Sequence, residues 1–203
     1  MDFWSSAAGF YMGATEAERF GSLDDIARDS SVAVLARVVS PGPSRVIAGD
    51  EGTEDVLVYE SVIVEILDVM SGHMSEAHQI GDLLVLEQVG TPPEDAIGTT
   101  AVLFLRDKQD MFGFPSDAEP RPEEEGLYRL VSSQGVFIDR GDGVAVNPII
   151  EMVRFMRSGE PGTFTDFVFD DSISINQDTY PVAAVARQMT LTELIDLIAS
   201  MGE

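Results

Sequence analysis

Cysteine is absent from this chain, lysine occurs once (Lys108), tryptophan once (Trp4), and histidine twice (His73 and His78). Without a thiol there is no disulfide framework, no thiolate metal site and no cysteine nucleophile. With one lysine and eleven scattered arginines there is no basic patch to grip a phosphate backbone, so nucleic acid is not an expected partner. No stretch approaches the eighteen or more continuous apolar residues of a membrane span. The N-terminus also lacks the basic region of a secretory signal. The expectation is a soluble, untargeted chain with no membrane insertion, unless a signal was removed ahead of Met1.

What is present is acid. Asp and Glu number 36 against 12 Lys and Arg, which gives a formal net charge of -24 and a pI near 4.1. A surface of that sign repels nucleic acid and anionic membranes, confers solubility, and admits cationic partners. Hydrophobic residues make up 44% of the 203 positions, enough for one domain with a real core. The first twenty residues hold Phe3, Trp4, Phe10, Tyr11, Met12 and Phe20 with few charges. Such side chains gain about 1.5–3 kcal/mol each on burial, so the segment is expected to be covered, by its own core or by a neighbour.

Hydrophobic periodicity predicts a β-rich chain. Ser22-Leu23-Asp24-Asp25 has the capping-box form and opens a helix over 22–29. Valines from Val32 to Val39 form a strand stopped by Pro41-Gly42-Pro43, and a polar loop is expected to about Asp55. Val56 to Met70 reads as one bent strand serving two parts of a curved sheet. Asp82 to Val89 and Thr100 to Arg106 are apolar strands, the second buried on both faces. An acidic loop from Lys108 to Gly126 follows, and Leu127–Val131, Val136–Asp139 and Val144–Val146 then suggest a meander. Asn147-Pro148 opens a helix over 148–158. Segments 164–169 and 173–175 suit short strands or ordered coil, and Thr190-Leu191-Thr192-Glu193 opens a last helix over 191–201. The expected fold is α+β and β-rich: a small curved antiparallel sheet or OB-like barrel with about three peripheral helices. Its expected divisions are an aromatic arm (1–21), the barrel (22–147) and a C-terminal extension packed on it (148–203). Val62, Val64, Ile66, Leu84, Leu86, Val102 and Phe104 are the expected core.

Candidate chemistry is sparse. His73 and His78 are five apart in a loop, with only Glu76 near in sequence, so no metal site is expected. Acid pairs such as Asp24-Asp25 and Asp170-Asp171 carry no information without environments that split their pKa values. Asp139 to Ile150 fails as a calcium loop, because positions three and five are Gly141 and Gly143 and position twelve is Ile150. Arg140-Gly141-Asp142 matches a short adhesion tripeptide but reads as a turn. No nucleophile elbow, phosphate loop or zinc-protease helix occurs, so no catalytic, cofactor or metal residues are assigned.

Several pieces in order, Ser22 to Ile26 leading into the Val32 strand, Glu65-Ile66-Leu67, Ile80 to Val85, Thr100 to Leu105, Tyr128 to Val131 and Gln134 to Phe137, resemble a group of bacterial, largely actinobacterial, extracytoplasmic OB-like β-barrel domains. The resemblance covers about residues 22–146 and the final helix. It implies the barrel and carries no catalytic signature. The leading expectation for function is a non-enzymatic protein-binding or assembly module, such as a structural subunit of a virion head or tail. Its partners would be other protein subunits or further copies of itself, reached through Phe3, Trp4, Phe10, Tyr11 and Met12. The alternatives are an extracytoplasmic ligand-binding domain and a carboxylate-dependent hydrolase.

Overall fold

The computed structural model describes residues 20–48, 56–74, 78–87, 97–108, 125–151, 175 and 177–202, and of 47, 48 and 56–59 the backbone alone. Helix α1 (Leu23–Asp29) starts where Ser22, in extended conformation, accepts the Asp25 N–H at 3.1 Å. It buries Leu23 and Ile26. The chain then enters β1 (Val32–Pro41), the hairpin of β2 (Arg45–Ala48) and β3 (Val56–Tyr59), and β4 (Ser61–Gly72). Five further strands follow: β5 (Leu83–Glu87), β6 (Thr100–Asp107), β7 (Leu127–Leu130), β8 (Val136–Asp139) and β9 (Ala145–Val146). Two helices, α2 (Pro181–Ala186) and α3 (Leu191–Met201), complete the order.

Strands β1, β4, β5, β7 and β6 are neighbours in that sequence, and β6 returns to pair with β1, closing a five-stranded barrel. The β5–β7 contact is parallel and the other four are antiparallel. Counting only the barrel strands, the spatial order is 1-2-3-5-4-1, an OB-like barrel. Closure needs bending, and β1 supplies it: its register against β4 slips after Ala33, after Leu35 and between Val38 and Ser40.

Strand alternation sorts the apolar residues into two cores. The barrel interior holds Val34, Val62, Val64, Ile66, Leu84, Leu86, Leu103 and Tyr128, all buried. A second core lies outside the barrel wall, where Val102, Phe104 and Phe137 meet Ile26, Val182, Leu194 and Ile198 of the three helices. β6 is therefore apolar at successive positions because it is covered on both faces. Phe104 and Phe137 meet edge to face at 6.2 Å there. All seven expected core residues are buried, though Val102 and Phe104 belong to the outer core.

The structure corrects four expectations. The run from Val56 is not one strand; it breaks at Glu60, and β3 pairs with β2 in a separate two-stranded sheet. The polar loop after Pro43 accordingly contains strand β2. Strands β7 and β8 do not form a meander: both run antiparallel to β6, β7 against residues 105–107 and β8 against 101–103. The link Ser132–Gly135 is a buried jog along one sheet edge, and only β8–β9 is a hairpin pair. Helix α2 was not foreseen, because its N-cap Tyr180 makes no side-chain cap and only Pro181 marks the start. The helix expected over 148–158 does begin at Pro148, with Asn147 accepting the Ile150 N–H at 2.9 Å. Its continuation past Glu151, and the segments 164–169 and 173–174, lie outside the described residues.

Candidate functional site

On β4 and β5 the residues that alternate with the barrel core face outward. Across the sheet Ile63 lies opposite Val85, and Val85 opposite Leu127 of β7. One step along, Arg37 lies opposite Glu65, and Glu65 opposite Leu83. Leu83 is 54% exposed and nearby Ile80 59%, while Ile63, Val85 and Leu127 are half-buried. Arg37 and Glu65 pair with each other, while Asp82, between Ile80 and Leu83, accepts the Gln79 N–H at 2.9 Å.

At one end of the strip stands a buried ion cluster. Glu87 closes β5 opposite Ser61 and is 3% exposed. It receives two parallel bonds from Arg45, each 2.7 Å, and a third from Lys108 at 2.5 Å. Arg45 opens the hairpin between β1 and β4, and Lys108 starts the connection from β6 to β7. One carboxylate thus anchors both connections to the end of β5. Burial pushes the Glu87 carboxyl up, but the hydrogen bonds and charges of Arg45 and Lys108 outweigh it and hold the group below the usual carboxylate range. The cluster binds the chain to itself.

A second buried polar group joins the C-terminal part to the barrel. Asn147 donates to the Ser133 carbonyl at 3.0 Å, and Glu151 sits fully buried 2.7 Å from Arg187, just past α2. Glu151 is thereby paired with Arg187. A cleft of about 320 Å³ lies between α1 and the end of α3, where Asp24, Arg28, Ser71 and Met201 line it with no buried charge.

The remaining sequence candidates do not converge. His73 is exposed, while His78 packs edge to face on Tyr128 at 5.8 Å. Among the described residues no group of three or more His, Asp or Glu is placed to hold a metal. Asp25 is occupied by Ser22 and Arg28. Arg140 and Asp142 bond to each other at 2.5 Å, and Asp139 accepts the Gly141 and Gly143 N–H groups, so the tripeptide is a turn. Phe3, Trp4, Phe10, Tyr11, Met12, Glu76 and Asp170-Asp171 lie outside the described residues. Among the described residues no helix is long and apolar enough to cross a membrane. The outward strip and the Glu87 cluster went unread in the sequence, where only alternation in Ser61–Glu65 and a charge at the end of Leu83-Leu84-Val85-Leu86-Glu87 signalled them. Comparison with known protein families, with curated proteins and with solved structures finds no match to this chain.

Proposed function

We propose that this chain is a non-enzymatic protein-binding or assembly module, a subunit that joins a larger particle through apolar surface. The observation that supports this most directly is the outward strip of Leu83, Val85, Ile63 and Leu127, framed by two connections that Glu87 anchors. The outer side of the second and third strands, between the connections after the first and fourth, is where OB barrels take ligands. In this chain that surface carries leucine, isoleucine and valine in place of the arginines and stacking aromatics that nucleic acid needs. The net charge of -24 points the same way. Arg37, Glu65 and Glu87 beside the strip are committed to ion pairs, which favours recognition over catalysis.

Truncation tests the reading. A chain starting at Phe20, which keeps that side chain in the outer core, is expected to hold nearly the same melting temperature yet fail to join its complex. If the deletion unfolds the domain, the aromatic segment belongs to the core and the assembly reading loses its second apolar element.

A further inference from the structure

The protein-binding reading leaves the partner open, and the chain itself contains a match for the strip. We propose that residues 3–12 of one copy dock on the outer face of β4 and β5 of a second copy, so that the protein associates with itself by exchanging aromatic arms. This rests on the reading of the strip as a docking surface and names its occupant.

Four observations carry it. Residues 3–12, Phe-Trp-Ser-Ser-Ala-Ala-Gly-Phe-Tyr-Met, contain no charged residue in a chain that is 24% charged. The strip is the matching surface: Leu83 and Ile80 are more than half exposed, the adjacent charges of Arg37 and Glu65 neutralise each other, and the one acid between Ile80 and Leu83, Asp82, is turned to the Gln79 N–H. Two copies of net charge -24 repel wherever their general surfaces meet, so a stable contact between them must be made by uncharged segments on neutral ground. A cationic partner would instead be drawn to the acids elsewhere. Finally, the segment ends at Phe20, which is 8% exposed and packed in the outer core beside α1. The arm is therefore rooted on the barrel, and the seven residues from 13 to 19 give it a reach of up to about 25 Å.

The area suffices. Four aromatic side chains bury about 150–250 Å² each, so one arm supplies roughly 600–1,000 Å². Reciprocal exchange about a two-fold axis doubles that and passes the roughly 1,000 Å² expected of a specific interface.

The test uses the full chain. Trp4 is the only tryptophan, so its emission reports the arm alone. Sedimentation velocity is expected to show a dimer that tightens with added NaCl, and Trp4 emission should shift to the blue as the dimer forms. Leu83→Asp places a charge in the strip and should weaken the dimer about tenfold or more and return Trp4 emission to the red, with the circular-dichroism melt unchanged. Phe10→Ser, on the other side of the contact, should do the same and serves if Leu83→Asp does not fold. An undiminished dimer in both variants overturns the proposal. So does a monomer at every concentration, and Trp4 then separates the cases. Solvent-like emission leaves the protein-binding reading standing for a different partner. Buried emission, together with unfolding of Phe10→Ser, removes both readings, because the segment then belongs to its own core.

Discussion

Glu87 shows what one side chain contributes to the framing of the strip. It is held by Arg45, 42 positions back, and by Lys108, 21 positions on. Removing one partner of a buried ion cluster leaves the others desolvated without compensation, which costs of the order of 3 kcal/mol. Glu87→Gln is therefore expected to lower the urea midpoint by that equivalent, and an unchanged midpoint would mean the cluster is not coupled to folding. Because the folded carboxyl titrates below its usual range, its contribution is complete above the ordinary glutamate pKa and is lost as pH falls through the lowered value. Lys108 provides a local readout, since its amine is the only one on a side chain and is 4% exposed. In the native protein an amine-acylating reagent should label the N-terminus and spare Lys108; in Glu87→Gln, Lys108 labelling should rise. Equal labelling in both proteins would show that Glu87 does not hold the lysine in place.

At the scale of elements, α3 depends on its first turn. Thr190 accepts the Glu193 N–H at 3.1 Å, and Glu193 reaches back to the Thr190 N–H at 2.8 Å, a reciprocal capping box. Thr190→Ala should cost about 0.5–2 kcal/mol, read as a lowered melting temperature. The Thr190 N–H and hydroxyl hold the Glu193 carboxyl below its usual range, so this contribution too is present above the ordinary glutamate pKa and fades as pH drops through the lowered one. A stability loss in Thr190→Ala that is the same at neutral and acid pH would argue against the paired cap. The same motif was legible in the sequence, as were α1, the core of β4 and the doubly buried β6, because a cap spacing or a period of two is local. What stayed hidden depends on distant contact. The four-residue β2 sits among Pro, Gly and polar residues and is a strand only because β3 lies beside it. The jog between β7 and β8 is set by Gly135, where a Cβ would meet the Phe104 carbonyl oxygen at 3.1 Å. Nothing within Ser132–Gly135 announces that neighbour. The Glu87 cluster joins three segments that only barrel closure brings together, so its three charges looked unrelated along the chain.

For the whole molecule, the excess of 24 acids sets the response to salt. Close opposite charges and diffuse like charges respond in opposite senses. Exposed pairs such as Arg28–Asp25, at 2.5 Å, are worth little and lose little on screening. The buried pairs at Glu87 and Glu151 are hardly screened at all. Repulsion among the remaining acids acts over distances comparable to the domain, and the Debye length falls from about 30 Å at 0.01 M to about 3 Å at 1 M. Net self-repulsion destabilises the compact state, so its removal should dominate. The melting temperature is therefore expected to rise with NaCl concentration, most steeply at the low end, and to flatten once the Debye length drops below typical spacings between surface acids. NaCl is preferable to sulfate, which would add its own strengthening of apolar burial. A melting temperature that falls with NaCl would place the balance with the paired charges and would also remove the electrostatic reason for copies to meet only on uncharged ground.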